Sequence, residues 1–154
     1  MLTFRTALST DVDVYFEWTN DPEVRALSYN QNTILYSDHI KWFGKKIQDA
    51  NTIMLLFQDE QKQLVGQVRL VQEKKTTIVS ISIDKNHRGK GYASQMLTMA
   101  INYFLSKNPS TIFIAYIKEK NQASLKSFIR AGFTILEKTN YKGSLSYKLI
   151  YKND

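Results

Sequence analysis

The stretch Asn86-His87-Arg88-Gly89-Lys90-Gly91-Tyr92-Ala93 sets two glycines among positive charges, just ahead of a long periodic apolar segment. A helix start leaves several backbone N–H groups without an intrahelical acceptor, and the helix dipole adds partial positive charge there. Such a place receives a phosphate or pyrophosphate. Gly89 and Gly91 have no Cβ to hold a ligand away from those amides, while Arg88 and Lys90 add full charges at the rim. The spacing is not G-x-x-x-x-G-K-[ST], and it is not G-x-G-x-x-G either, because Ser94 follows Ala93 where a third glycine would stand. The chemistry is anion binding by backbone amides.

Other chemistry is narrowed by composition. The chain has no cysteine and only His39 and His87, which excludes a disulfide frame, a cysteine nucleophile, a thiolate metal site and an all-histidine metal cluster. Its 21 Lys and Arg against 14 Asp and Glu give a net charge of +7, which suits an anionic partner. The basic residues are spread along the chain rather than clustered with aromatics, which speaks against nucleic acid. No apolar run approaches the roughly 20 residues of a bilayer span, and the N-terminus lacks the pattern of a signal peptide. A cytoplasmic protein, one domain over residues 1–154, with no metal and no membrane partner, is expected.

The elements that must position the glycine loop follow from periodicity. Leu2, Phe4, Ala7 and Leu8 read as a first strand, and Ser9-Thr10-Asp11 as caps for a helix turning Val14, Tyr15 and Trp18 inward, stopped by Asn20-Asp21-Pro22. A second helix is expected from the cap Ser37 to about Asp49 with Ile40, Phe43 and Ile47 inward; residues 23–36 give no clear pattern. Thr52 to Gln58, Gln63 to Val71 and Thr76 to Ile83 read as a three-strand meander. Ala93, Met96, Leu97, Ala100, Ile101, Phe104 and Leu105 form the broad stripe of a buried helix. A strand from Thr111 to Ile117 and a helix from the cap Asn121 to Gly132, with Leu125, Phe128 and Ile129 inward, come next. Strands Phe133 to Glu137 and Leu145 to Tyr151 close the chain around a turn at Asn140 to Gly143. The order β-α-α-β-β-β-α-β-α-β-β is that of a mixed α/β domain.

With these residues in place the sequence resembles the GNAT superfamily of acetyl-CoA-dependent N-acetyltransferases. The coenzyme motif [RQ]-x-x-G-x-[GA] is met by Arg88 to Ala93, and the later motif by Asn121, Ser124 and Gly132-Phe133. The resemblance implies a mixed, mostly antiparallel sheet of six or seven strands with about four helices and splayed central strands. It implies that the amides of Arg88, Gly89, Lys90, Gly91, Tyr92 and Ala93 hold the coenzyme pyrophosphate, that Ser82 and Ile83 pair with pantetheine, and that the Ile81 N–H bonds the thioester carbonyl. Asn121, Ser124 and Phe128 complete the coenzyme site. Direct attack of the amine on the thioester, without an acyl-enzyme, fits a chain without cysteine.

Two departures bear on the proton transfers. Phe128 stands where many relatives have an acid tyrosine, which leaves Tyr92, Tyr116 and Tyr141 as candidate donors. Thr77 stands where some relatives have a basic glutamate, which leaves Glu119 or His39. The N-terminal runs Trp18 to Ser28 and Ser37 to Phe43 resemble the branch that acetylates nucleotide-linked amino sugars, and also the branch that acetylates ribosomal-protein N-termini. On the first reading Arg25, His39 and Trp42 bind the substrate, with Trp18 a further stacking surface. The rival class is a coenzyme-binding module without turnover, motivated by Phe128 and Thr77. A monomer or homodimer acting on a small-molecule amine is expected.

Overall fold

In the computed structural model, which describes residues 1–153, the chain runs β1 (Thr3–Thr6), α1 (Val12–Thr19), α2 (Pro22–Leu27), α3 (Tyr36–Gln48), β2 (Thr52–Gln58) and β3 (Leu64–Glu73). It continues through β4 (Thr76–Ile83), α4 (Tyr92–Lys107), β5 (Ile112–Lys118), α5 (Gln122–Arg130), β6 (Thr134–Tyr141) and β7 (Ser144–Lys152). The strands form one sheet in the order β1-β2-β3-β4-β5-β7-β6. Every neighbouring pair is antiparallel except β4 and β5, whose parallel pairing follows from the α4 crossover between them. The mixed, mostly antiparallel seven-stranded sheet is as expected, with five helices rather than four.

The fifth helix is α2. Asn20-Asp21-Pro22 stops α1, but it also starts a helix: Pro22 occupies the first turn, where its missing N–H costs nothing, and the Asp21 carboxylate accepts from the Glu23 and Val24 amides. α3 begins at Tyr36 with Leu35 as its cap residue, ahead of the expected Ser37. Its buried side chains are His39 and Phe43, and Ile40, roughly 100° further round the helix, is 44% exposed. In α5, likewise, Leu125 and Phe128 are buried and Ile129 is exposed. The first strand ends at Thr6, and Leu8 lies exposed beyond it. Asn140 and Tyr141 belong to β6, so the last turn is Lys142-Gly143 alone, both with positive φ as a tight hairpin turn requires.

Two apolar layers hold the sheet. The larger joins Leu55, Phe57, Val68, Leu70, Val79, Phe113 and Ala115 to Met96, Leu97, Ala100, Ile101 and Phe104 of α4 and to Leu125 and Phe128 of α5. The smaller packs Tyr15 and Trp18 of α1 and Phe43 of α3 on Met54 and Leu56 of β2. β4 and β5 pair only over Thr76–Ile112, Thr77–Phe113 and Ile78–Ile114. Beyond that point they part, so Val79 to Ile83 and Ala115 to Lys118 lack a strand partner on their facing sides. This is the expected splay.

The entry into α1 is fixed by a carboxylate. Asp11 accepts from Arg5 at 2.8 and 3.0 Å and from the Leu8 amide at 2.7 Å. The Arg5 guanidinium, helped by that amide and opposed by burial, holds the Asp11 carboxyl below the usual carboxylate range. A group with a depressed folded pKa stabilises the fold above its unfolded value of about 4, and that contribution is lost as pH falls through the folded value. Asp11→Asn is therefore expected to cost about 1–2 kcal/mol in urea unfolding at pH 7, since solvent around the partly exposed Arg5 weakens the pair. The gap to wild type is expected to narrow as pH drops below about 4.

Candidate active site

Where β4 and β5 part, a cleft of about 550 Å³ opens. Ile81, Ser82 and Ile83 form one wall, the loop Arg88, Gly89 and Gly91 with Tyr92 and Ala93 the floor, and Asn121, Ser124 and Ser127 of α5 the opposite wall. Gly89 (φ 76°) and Gly91 (φ 77°) lie in the left-handed region, which accounts for glycine at both positions. Gly91 is the cap residue of α4, and no side chain accepts from the first-turn amides. The helix thus presents bare N–H groups to the cleft, a setting suited to a phosphate group. On α5, Asn121 accepts from the Ser124 amide at 3.3 Å as a cap while both residues line the cleft.

Arg88 is positioned differently from the expected free rim charge. Its guanidinium holds Asp21 at 3.0 Å and Glu23, and its Nε donates to the Ile83 carbonyl at 3.2 Å, tying α2 to the loop. For Asp21, burial raises the pKa but is outweighed by the Arg88 guanidinium and the Val24 and Glu23 amides, which leave it below the usual range. Lys90 is exposed and lies outside the lining. Phe128 is 2% exposed and meets Phe133 edge-on inside the core, so it contributes packing rather than a cleft surface.

The expected acid, base and substrate residues divide sharply. Tyr92 lines the cleft. Tyr116 instead stacks on Tyr141 at 3.8 Å between ring centroids, outside the lining. Glu119 lies outside the lining too and is ion-paired with Lys138 of β6, whose pKa it raises. His39 is buried, bonded through Nε2 to the Val12 carbonyl at 2.9 Å and packed among Phe16, Trp42 and Phe43; it ties α3 to α1. Arg25 is used up as a brace, donating to the carbonyls of Thr19, Asn30 and Asn32 and to Ser28. Trp42 lies under Arg69, and Trp18 is buried with its indole N–H on Asp84 at 2.8 Å. None of Glu119, His39, Arg25 or Trp42 borders the cleft.

Other residues enter it without an evident sequence signal. Val24, Leu27 and Ser28 close one end, brought there by the unexpected α2. His87 lines the cleft and is held by Asp84 at 3.1 Å, which fixes the turn between β4 and the glycine loop. Gly66 of β3 lies behind the wall: a Cβ there would stand 2.5 Å from the Ser82 carbonyl oxygen. An isolated glycine in an apolar strand is the sequence mark of such a close approach. Among the described residues there is no group of three or more potential metal ligands, and no helix is long and apolar enough to cross a membrane.

A family model described as an acetyltransferase (GNAT) domain matches residues 1–134. No curated protein matches the sequence. Among solved structures, the chain is similar to a spermidine N-acetyltransferase from Vibrio cholerae in complex with CoA and spermine, with TM-score 0.87, 18% identity, and coverage of 98% of this chain and 95% of that one. It is also similar to a spermidine/spermine N-acetyltransferase from Vibrio cholerae in complex with manganese ions, with TM-score 0.78, 18% identity, and coverage of 98% and 92%. At this identity the likeness is one of fold.

Proposed function

The chain belongs to the GNAT acetyltransferases, acetyl-CoA-dependent N-acetyltransferases, and from that membership we propose that its cleft presents acetyl-CoA to the primary amine of a small molecule. The observation that carries the placement is the uncapped N-terminus of α4, opened by two left-handed glycines, at the floor of a cleft walled by an unpaired stretch of β4. In this reading the amides from Arg88 to Ala93 receive the coenzyme pyrophosphate, Ile83 turns its backbone toward pantetheine while the Ser82 carbonyl stays on the β3 side, and Asn121 and Ser124 form the far wall. The Ile81 N–H polarises the thioester carbonyl, a contribution of about 2.7–4 kcal/mol for a donor of this type. The amine nitrogen bonds the carbonyl carbon, the C–S bond breaks, and the nitrogen gives up a proton to solvent water. Tyr92, which lines the cleft, is the donor to the departing thiolate.

The named substrates of the fold neighbours, spermidine and spermine, are small-molecule amines, and they support that class of acceptor over a protein N-terminus. The nucleotide-linked amino sugar loses the anchors expected for it, because Arg25, His39 and Trp42 are engaged within the fold. Release of free thiol on mixing the protein, acetyl-CoA and a candidate amine tests the activity, and the cysteine-free chain contributes no background. Acetyl-CoA binding without thiol release from any amine would favour the non-catalytic module.

A further inference from the structure

With the α4 and α5 side of the seam given to the coenzyme, an acceptor meets Ile81 from the other face of the sheet, where α1 and α3 pack on β2 and leave β4 half-exposed. Alternation along β4 puts Ser80 and Ser82 on that face, flanking Ile81. Register sets Arg69 of β3 opposite Ser80 and Gln67 opposite Ser82, and directly opposed Cβ atoms lie about 4.5–5.5 Å apart. Arg69 is therefore one cross-strand step from Ser80, the residue before Ile81.

Arg69 is a cation without an anion. Its guanidinium carbon lies 5.1 Å over the Trp42 ring, and no carboxylate or hydrogen-bond acceptor meets it among the described residues. Beside it, the Gln67 amide donates to Ser82 at 2.9 Å, yet the Gln67 carbonyl oxygen and the Tyr15 hydroxyl are both buried without a partner. Across the seam, β5 presents Tyr116 and Lys118 on the same face. Lys118 is buried, with its ammonium on the Ser28 carbonyl at 2.7 Å and 5.5 Å over the Tyr29 ring, again without a carboxylate, and Lys148 lies 5.9 Å over Tyr116.

The acids of this region are already engaged or remote from Ile81. Asp11 holds Arg5, Asp21 and the cleft-lining Glu23 hold Arg88, and Asp84 takes Trp18, the Asn86 amide and His87. Glu137, opposite Lys148 in register, is exposed on β6. A polycation placed here would set its ammonium groups among Arg69, Lys118 and Lys148 with no free acid to receive them, which is costly where solvent is excluded. A planar guanidinium fork is instead matched to a carboxylate or a phosphoryl group.

We propose, on the basis of the acetyltransferase reading above, that the acceptor carries an anionic group, carboxylate or phosphoryl, close to its amine, and that Arg69 receives that group while the amine faces the Ile81 backbone. Spermidine and spermine are then excluded as acceptors. Arg69 is a specificity residue that sets the acceptor's charge.

Calorimetric titration of the protein saturated with CoA, using matched pairs, tests this without relying on turnover. The pairs are L-methionine with L-methioninamide, and glucosamine 6-phosphate with glucosamine, with spermidine added separately; the two pairs distinguish carboxylate from phosphoryl. The anionic member of at least one pair is expected to bind about 10- to 150-fold more tightly than its partner, the range for hydrogen bonds to a charged group. Spermidine is expected not to bind. Arg69→Met, which keeps the aliphatic stem over Trp42, should erase the preference at unchanged CoA affinity, and Arg69→Lys should restore part of it. In turnover the loss in Arg69→Met should fall on KM, with kcat within a few-fold. Spermidine binding as tightly as the anionic members, equal binding within both pairs, or a preference that survives in Arg69→Met overturns the proposal. Anion preference with no thiol release from any amine supports the Arg69 site and refutes the transferase reading instead.

Discussion

Gly91→Val is expected to abolish acetyl-CoA binding while leaving a folded protein. Gly91 caps α4 at φ 77°, and a Cβ built there meets nothing within 4 Å, so the protein itself has room for the side chain. The cost to the fold is conformational: an L-residue in the left-handed region loses roughly 1–2 kcal/mol, and a β-branched one is worse placed still. If the backbone keeps its conformation, the isopropyl group stands over the first-turn amides. If it relaxes, those amides turn away. Either way the anion site is lost. The measurement is the melting temperature with and without acetyl-CoA. Wild type should gain about 2.7 kcal/mol at 100 times Kd, and the variant should gain nothing at the same concentration. A variant with the wild-type gain would show that the coenzyme binds elsewhere.

Gly66→Val is expected to be the most destabilising single change in the sheet, by at least about 3 kcal/mol in urea unfolding, the upper part of the range for overpacking. The added Cβ would lie 2.5 Å from the Ser82 carbonyl oxygen, 2.9 Å from the Met96 methyl and 3.2 Å from Ile83 Cδ1. Met96 can move its end, but a carbonyl held in a ladder moves only with its strand. That strand is the wall of the cleft, so the variant should also weaken acetyl-CoA binding well beyond what lost stability accounts for. A melt within about 1 kcal/mol of wild type would mean that β3 and β4 tolerate a wider spacing.

How far the sequence reveals this molecule depends on whether a relation is local or crosses strands. Val79, Ile81 and Ile83 mark β4 by alternation, and the stripe from Ala93 to Leu105 marks α4, because each signal is contained in its own element. The glycine loop between them is legible for the same reason. α2 is not, since six residues are too few to show a helical period, and its one strong mark, Asp21-Pro22, also reads as a stop. Residue type misleads at His39 and Arg25: the atoms that would serve a substrate serve a carbonyl of α1 and the loop after α2. Glu119 is misread because its partner, Lys138, comes from a strand whose register the sequence does not state. Gly66 and Arg69 matter through what lies opposite them on β4, which only pairing reveals.

The parting of β4 and β5 also bears on self-association. Unpaired strand backbone is most hazardous at a sheet's edge, where another chain can add itself. Here one edge, β1, is only four residues long, and the other, β6, is bent by an irregularity between Ile135 and Glu137 and carries Glu137 and Lys138 beyond it. The exposed ladder groups are in the middle instead, in a notch closed at one end by the three β4–β5 pairs and walled by the α4 loop and α5. A further strand could pair with it only by entering between those walls. The sheet therefore carries this unpaired backbone away from both of its edges, where an added strand would dock.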